Sequence, residues 1–324
     1  MLIAPATSFL LTVALLAVLL RWRHLLPLDR PNQRSLHSGV VPRAGGLALV
    51  PAVLVGWFWG PTYPWLAAAS VVGLAVASYF DDRRGLPVVL RFSLHLAAAV
   101  VFVVGMVNEM SLLLLIAMVL AITWSINLYN FMDGADGLAG GMALFGFSAY
   151  GLLAWQQGAT EFAALNLCIA TAALGFLIFN FPPAKVFLGD AGSVPLGYLA
   201  AMLGILGIAK GLWPWWFPLL VFSPFAVDAT VTLARRALRG ERVWEAHREH
   251  FYQRLVRAGW SHRRTAIAEY VLMAATGASA VWAVSADASM QVGAIAAWVI
   301  IYGMLMHLVD GYWRPFAEKE KASP

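Results

Sequence analysis

Long uninterrupted apolar runs dominate this chain, and two of them are Leu112–Thr123 and Phe162–Phe179. Runs of this length without charge are typical of membrane-crossing helices, whereas strands of a transmembrane barrel alternate apolar and polar residues in segments of about ten. Hydrophobic residues make up 61% of the 324 residues and charged residues only 12%, against about 25% charged in soluble proteins. The composition excludes an ordinary soluble domain, a disordered chain and a nucleic-acid-binding module, and it predicts an all-α polytopic membrane protein.

Hydropathy predicts one membrane domain over residues 1–324, with ten to eleven spanning helices. The first run, Leu2–Leu20, has no basic residue before it and Arg21 and Arg23 after it, which is the order of a retained helix and not of a cleaved signal peptide. The main polar segment is a His- and Arg-rich loop at about 235–265. The predicted spans are about 2–20, 44–60, 65–80, 92–107, 111–128, 138–155, 162–180, 194–209, 213–234, 266–284 and 291–309.

The positive charges fall on one side of this arrangement. Eleven alternating crossings place every Lys and Arg except Lys210 on the same side, out of 22 in the chain. Basic residues concentrate in cytoplasmic loops, so we expect that side to be cytoplasmic, with the N-terminus outside and the C-terminus inside. The net charge of +5 is therefore an orientation signal.

Five aspartates come next to predicted spans on the cytoplasmic side: Asp81, Asp82, Asp133, Asp136 and Asp190. Charged residues beside membrane helices are costly unless they are hydrated, paired or bound to a metal, so converging carboxylates indicate a site. Carboxylate oxygens favour magnesium or manganese, and magnesium typically uses one or two carboxylates together with substrate phosphates. A cysteine-rich metal site is excluded because the chain has one cysteine.

Each motif taken alone also has a structural interpretation. Residues Asp81–Arg84 would form surface ion pairs in a solvated loop, and Asp133 and Asp136 beside glycines would shape a turn into a helix. Asp190 would cap the helix that begins near Ser193, and the same helix end offers backbone amides to a phosphate. Their occurrence together on one face favours a site.

Written out, these segments resemble the polyprenyl-phosphate N-acetylhexosamine-1-phosphate transferases. This membrane family includes the enzymes that start O-antigen and enterobacterial common antigen synthesis and the phospho-MurNAc-pentapeptide transferase of peptidoglycan synthesis. The resemblance rests on PRAGGLAL at 42–49, DD at 81–82, NLYNFMDGADGLAGG at 127–141, FNFPPAKVFLGDAGSVPLG at 179–197 and the basic His-containing loop after the ninth predicted span.

The resemblance implies a magnesium-dependent reaction, with manganese as an alternative ion, at the cytoplasmic face of the bacterial plasma membrane. The phosphate of undecaprenyl phosphate attacks the β-phosphorus of a UDP-N-acetylhexosamine, UMP leaves, and a lipid-linked diphosphate sugar remains. It also implies a homodimer. The product would initiate a cell-surface polysaccharide of the O-antigen kind.

The resemblance also implies roles for individual residues. Asp81, Asp82 and Asp190 would be catalytic, and Asp190 and Asp82 would hold the metal. Phe187 matches a position that stacks on uracil, and Asn180 one that hydrogen-bonds it. The full set implied to contact substrate is Asn130, Asp133, Asp136, Asn180, Phe187, His247, His250 and Arg43.

Two residues invite a physical interpretation of their own. A phosphate monoester has a second pKa of about 6, so the lipid nucleophile is already mostly dianionic at neutral pH. We therefore expect Asp81 to position groups and not to remove a proton. Arg43 offers two parallel donors to a phosphate, although arginines at helix ends also orient membrane proteins and touch anionic lipids.

His247 and His250 lie three residues apart in the sequence His-Arg-Glu-His. Zinc is an alternative ligand for such a pair, but no further ligands with suitable spacing lie nearby. The peptidoglycan enzyme carries a run of adjacent histidines here, so the departure favours a simpler UDP-N-acetylhexosamine, such as N-acetylglucosamine or a 6-deoxy relative. We interpret His262 as a surface residue and His95 as structural.

Two further alternatives stay open. Asp228 lies within the ninth predicted span, where an acid marks either a functional site or a pair with a neighbouring helix. A transporter or lipid flippase would also have many helices and buried charges. That class favours charges at the bilayer midplane and broken helices in related halves, whereas these acids cluster at cytoplasmic helix ends.

Overall fold

The computed structural model describes residues 2–29, 31, 36, 39–60, 63–106, 110–245 and 247–322. Thirteen α-helices account for nearly all of the regular structure in those ranges, joined by one 3₁₀ turn at Arg23–Leu25 and two short strands. The helices are α1 (Ile3–Arg21), α2 (Gly45–Trp57), α3 (Trp65–Arg84), α4 (Val88–Met106), α5 (Leu112–Met132), α6 (Leu138–Gln156), α7 (Thr160–Asn180), α8 (Asp190–Ala209), α9 (Trp216–Val221), α10 (Ser223–Leu238), α11 (Phe251–Arg257), α12 (His262–Val284) and α13 (Ala288–Ala322).

Eight of these helices, within the described ranges, are long and apolar enough to cross a membrane: α1, α4 to α8, α12 and α13. Helix lies at each of the eleven predicted spans, which confirms the all-α polytopic architecture. The other three positions differ in kind. α2 has 13 residues, α3 ends in the charged residues Asp81–Arg84, and the ninth span is broken at Phe222 between α9 and α10.

Several helices extend four or more residues beyond a predicted end, and the extensions of α3, α5 and α8 carry predicted site residues. α3 continues to Arg84, so Asp81 and Asp82 lie on its last turns and not in the following loop. α5 runs to Met132 and includes Asn130, and α8 begins at Asp190. Hydropathy marks where the chain leaves the apolar layer, whereas backbone hydrogen bonding continues into the polar zone, so the spans were predicted too short.

The centre of the bundle is formed by α6, α7 and α8, which are the most buried of the spanning helices, while α13 and α4 are the least buried. α6 packs on α7, α7 on α1, and α8 on α5 and α3. The packing is close where glycines meet. A Cβ atom added at Gly46 of α2 would lie 2.3 Å from the backbone nitrogen of Gly192 at the start of α8. Backbone contact between these two helix ends fixes the polar segments that precede them.

The two strands place an acid beside the start of α2. β1 (Leu28–Asp29) pairs antiparallel with β2 (Val41–Pro42), and the amide of Arg43 donates to the carbonyl of Pro27 at 2.8 Å. The pairing brings Asp29 within 3.1 Å of the Arg43 guanidinium.

Candidate active site

The segment before α2 is hydrogen-bonded to the segment before α8. The amide of Phe187 donates to the Pro42 carbonyl at 2.9 Å, and the amides of Gly45 and Gly46 donate to the carbonyls of Phe187 and Leu188 at 2.9 and 2.8 Å. A residue with a side chain would not fit at Gly45, because its Cβ would lie 2.8 Å from the Leu188 Cα. Two motifs more than 130 positions apart in the sequence thereby form one wall.

Arg43 is held between two acids on that wall. Its guanidinium lies 3.1 Å from Oδ1 of Asp29 and 3.0 Å from Oδ1 of Asp82. Burial lowers the pKa of Arg43, but the carboxylates of Asp29 and Asp82 outweigh it and raise that pKa above its ordinary value. The guanidinium therefore stays charged and keeps a fixed orientation.

Asp82 is placed behind the cavities and not on their surface. Besides the contact with Arg43, its Oδ2 accepts the amide of Ala191 at 3.4 Å, so this carboxylate caps the first turn of α8. Only 3% of its side chain is exposed. Gly189 has a φ of +71°, and a Cβ there would lie 2.9 Å from Asp82 Oδ2, which explains why glycine precedes Asp190.

The other member of the pair, Asp81, is also fully engaged. Its Oδ2 lies 3.1 Å from Nη1 of Arg91, and its Oδ1 accepts the amide of Leu86. Its side chain is 8% exposed. A carboxylate with both oxygens committed orients its partners, in keeping with the expectation that Asp81 positions groups.

The loop between α5 and α6 contributes Asp133 and Asp136, and the two carboxylates differ in their hydrogen-bond partners. Asp136 Oδ2 accepts the amide of Ala184 at 3.0 Å, and its Oδ1 lies 3.3 Å from Nδ1 of His262. The carboxylate of Asp133 has no hydrogen-bond or ion-pair partner among the described residues. Asp136 is therefore a structural link between loops, whereas Asp133 is available to a ligand.

The loop is also tied to α7 and α8. Asn180 accepts the amide of Gly137 at 2.9 Å through Oδ1 and donates to the Val186 carbonyl at 2.8 Å through Nδ2. Asn130 Oδ1 accepts the hydroxyl of Ser193 at 2.8 Å. Asn180 thus joins three segments of the wall, and it retains one amide hydrogen for a ligand.

The histidines of the 235–265 loop take two positions. His247 lines the larger cavity described below, whereas His250 is buried behind it with its ring centroid 4.8 Å from that of His247. His250 Nδ1 lies 3.0 Å from Oδ1 of Asp228, so the intramembrane acid does pair with a neighbouring element. Burial, together with His250 and Arg236, lowers the pKa of His247 to about 4, which leaves it neutral at pH 7.

Two residues of the site carry no motif in the sequence. His262 donates from Nε2 to the Leu36 carbonyl 3.0 Å away, and its Nδ1 accepts the backbone amide of Asp136 at 3.3 Å, so its interpretation as a surface residue is wrong. Gln253 lines the same cavity and accepts the amide of His250. His262 lies 126 positions from Asp136, and no local pattern reports a contact over that separation.

These side chains surround two adjoining cavities. The larger, of about 370 Å³, is polar; its lining includes Arg43, Asp133, Asp136, Asn180, Phe187, His247, Gln253 and His262. The smaller, of about 120 Å³, lies between α3, α4, α5 and α8; its lining includes Leu74, Ser78, Asp81, Phe92, His95, Asn127 and Val194. Arg91, Asn130 and Asp190 line both. The two cavities therefore meet at Asp190.

The carboxylates at this junction repel one another. The side chain of Asp190, like that of Asp133, has no hydrogen-bond or ion-pair partner within the described part of the chain. Burial raises the pKa of Asp133 well above its usual range, and the charges of Asp190, Asp82 and Asp29 add to this effect while Arg43 opposes it. A cation would relieve both the burial and the repulsion.

The donor set fits magnesium and does not fit a closed protein cage. No group of three or more His, Cys, Asp or Glu side chains among the described residues is arranged to hold a metal ion, which also disfavours zinc at His247 and His250. Magnesium uses one or two carboxylates, with waters and substrate phosphates completing its shell. Asp190 and Asp133 offer that number of free carboxylates, whereas the oxygens of Asp82 are both engaged.

Comparison with known proteins shows which families and enzymes the chain resembles. Residues 64–208, which include α3 to α8, match the family "Glycosyl transferase family 4". The chain is 29% identical to the "Probable undecaprenyl-phosphate N-acetylglucosaminyl 1-phosphate transferase" of Bacillus subtilis, over 90% of this chain and 87% of that protein. It is also 29% identical to the decaprenyl-phosphate N-acetylglucosaminephosphotransferase of Mycobacterium tuberculosis, over 88% and 84% of the two chains.

A third relative is named for a different transferred group. The phospho-N-acetylmuramoyl-pentapeptide-transferase of Geobacillus kaustophilus is 29% identical over 82% of this chain and 92% of its own. All three are named as enzymes that act in phosphoryl-sugar transfer, and none as a transporter, so the transporter alternative finds no support. With the helical membrane architecture and the matched motifs, the chain is similar to glycosyl transferase family 4 over residues 64–208.

Proposed function

We propose that this protein transfers an N-acetylhexosamine 1-phosphate from a UDP-sugar to undecaprenyl phosphate. The observation that carries the proposal is the meeting of two cavities of different character at Asp190. The polar one suits a nucleotide sugar, and the one between α3, α4 and α5 suits the phosphate of a lipid. Two substrates in these cavities would have their phosphates side by side at Asp190, Asn130 and Arg91.

The reaction balances without an external oxidant or base. An oxygen of the lipid phosphate forms a bond to the β-phosphorus of the UDP-sugar, and the bond from that phosphorus to the bridging oxygen breaks. UMP leaves with the bridging oxygen and its electron pair. Since the lipid phosphate is mostly dianionic at neutral pH, no side chain needs to remove a proton first.

The approach of two anions is the main contribution to the activation barrier, and fixed positive charges in the site would lower it. Arg91 lines both cavities and Arg43 lines the larger, each held in place by an aspartate. Fixed donors aimed at developing charge stabilise a phosphoryl-transfer transition state without reorganising during the reaction. Asp81 and Asp82 act through these arginines and through the α8 cap.

Magnesium would be held by Asp190, with Asp133 as the second free carboxylate. When bound, it would supply positive charge to the diphosphate. Asp82 as a direct ligand would first have to release Arg43 or the Ala191 amide, so we assign it to the support of Asp190.

The nucleotide base would bind at Phe187 and Asn180 in the larger cavity. Phe187 offers an aromatic face for uracil, and the remaining amide hydrogen of Asn180 can reach a carbonyl of the base. Neutral His247 would donate to the diphosphate, and His250 would set its position from behind. Asp136 shapes this wall through Ala184 and His262.

The sugar and the cellular setting follow from the sequence pattern. The sequence His-Arg-Glu-His, in place of adjacent histidines, favours N-acetylglucosamine or a 6-deoxy relative over the MurNAc-pentapeptide. The clustering of Lys and Arg favours a cytoplasmic active site in the bacterial plasma membrane. The family resemblance favours a homodimer. The product would initiate a surface polysaccharide.

Release of UMP tests the proposal. Purified protein in detergent is incubated with UDP-N-acetylglucosamine, undecaprenyl phosphate and magnesium, and UMP and the lipid product are measured. We expect both to form in equal amounts, to require all three components and to be lost in Asp190→Asn. Asp310→Asn is the matched control, because Asp310 pairs with Arg235 and Arg254 and lines neither cavity.

A panel of UDP-sugars then identifies the substrate by kcat/KM. Failure of every UDP-N-acetylhexosamine to release UMP from folded protein would overturn the proposal. UMP release with UDP-MurNAc-pentapeptide alone would instead overturn the substrate assignment and keep the reaction class.

A further inference from the structure

His95 is a buried histidine of α4 whose ring is only partly satisfied. It is 7% exposed, and it lies on the wall of the smaller cavity. Asn127 of α5 lies on the same cavity wall, and Nδ1 of the ring has no hydrogen-bond partner among the described residues. Buried polar atoms are nearly always paired in folded proteins, so an orphan nitrogen beside a cavity indicates a partner that comes from outside the chain.

The helical register groups His95 with the charged end of the cavity. Arg91 and His95 are four residues apart on α4, and Asn127 and Asn130 are three apart on α5, so each pair shares one face of its helix. All four line the smaller cavity. Four residues of helix rise about 6 Å, so His95 lies about one turn deeper in the membrane than Arg91.

The rim of this cavity is apolar on the membrane side. Phe92, on its lining, is 50% exposed, and Val88, also on its lining, is 56% exposed. Exposed apolar side chains on a peripheral helix face lipid in a membrane protein. A ligand that fits must therefore combine an apolar chain with a polar head that reaches Arg91, Asn130 and Asp190.

We infer that His95 contacts the phosphate of the lipid acceptor through Nδ1 and positions it toward the nucleotide sugar; this inference rests on the proposed function. A neutral imidazole donates from one nitrogen and accepts at the other. Asn127 donates to the Thr123 carbonyl at 2.7 Å and has a second amide hydrogen, which can go to Nε2 and leave Nδ1–H for a phosphate oxygen.

Two substitutions separate the ring nitrogens. Asparagine places its polar atoms close to the position of histidine Nδ1, whereas glutamine reaches the position of Nε2. We expect His95→Asn to hold the KM for undecaprenyl phosphate within about threefold of the unmodified protein. We expect His95→Gln to raise it about tenfold or more, as for the loss of one hydrogen bond to a charged group. The KM for the UDP-sugar should stay unchanged in both.

A third variant guards against misfolding. His95→Leu removes both nitrogens and suits an apolar helix, so we expect the KM for the acceptor to rise while the Tm stays equal or increases. A histidine with only a structural role would instead give a lower Tm and no change in the KM for the acceptor.

The outcomes distinguish the two proposals. No UMP release by the unmodified protein means that the proposed function fails, and this inference fails with it. If the unmodified protein releases UMP and all three variants have its KM for the acceptor, the role of His95 is overturned and the proposed function is kept. A change confined to the KM for the UDP-sugar also overturns it, because it would place the imidazole at the other substrate.

Discussion

The carboxylate of Asp228 lies 3.0 Å from Nδ1 of His250 and also accepts the backbone amides of Phe251 and Tyr252, at 3.0 and 3.2 Å. One buried acid on α10 thus caps α11 and orients the histidine that packs against His247. Sequence alone left open whether Asp228 serves function or helix pairing, and the geometry shows the pairing, with His250 and the start of α11. We propose that this pairing also fixes the ring of His250 against His247, which lines the larger cavity.

Asp228→Asn should impair substrate binding as well as stability. The amide replaces one acceptor oxygen with a donor, so at least one buried N–H loses its partner, at a cost of about 1–3 kcal/mol in the free energy of unfolding. We expect the KM for the UDP-sugar to rise about tenfold. In a double-mutant cycle with His250→Gln, the losses in kcat/KM should be less than additive, because both changes remove the same contact. Additive losses would show that the two residues act independently.

Asp190→Asn should abolish the response to magnesium. Its carboxylate is the free charge at the junction of the cavities. We expect kcat to fall by about 10²–10³-fold, the size typical for removal of one group that stabilises transition-state charge. A readout without turnover is thermal unfolding, in which magnesium with UDP should raise the Tm of the unmodified protein and of Asp310→Asn but not of Asp190→Asn. An unchanged magnesium response in Asp190→Asn would remove this residue from the metal site.

Gly46→Ala should destabilise the wall that carries Arg43. The new Cβ would lie 2.3 Å from the Gly192 nitrogen and 2.4 Å from the Ala191 carbonyl carbon, and backbone atoms cannot move aside as a flexible side chain can. Overpacking of this kind costs about 1–3 kcal/mol. Gly303→Ala in α13 is the control, since nothing lies within 4 Å of its Cβ position. Equal Tm values for the two variants would contradict the close contact of α2 with α8.

Sequence patterns predicted the helices well because apolar length alone determines which segments can cross a membrane. They also selected the residues of the larger cavity, since Arg43, Asp133, Asn180, Phe187 and His247 all line it. The motifs could not show which aspartate binds a partner inside the protein and which one faces a cavity. Asp82 and Asp190 have the same charge, yet one caps α8 and the other faces the cavities.

Contacts between residues far apart in the sequence account for the residues that the sequence analysis did not assign to the site. His262 reaches Asp136 and Leu36 only because α12 packs on α6, and His95 lines a cavity only because α4 and α5 enclose one with α3 and α8. Neither residue stands in a recognisable pattern, and a lone histidine in an apolar run is usually structural. Burial and an unpaired nitrogen are properties of the folded chain, so the structure was needed to detect them.

His247 should make the ligand-free protein sensitive to acid. Burial lowers its pKa to about 4 in the folded protein, while an exposed histidine titrates near about 6.5. The unfolded chain therefore binds more protons between these values, and the free energy of unfolding falls as the pH drops through that window. We expect the Tm to decrease between pH 7 and pH 4.5, and to decrease less in His247→Gln. His24→Gln, at an exposed position after α1, is the control and should follow the unmodified protein. Parallel Tm curves for His247→Gln and the unmodified protein would show that this imidazole is not held neutral by the fold.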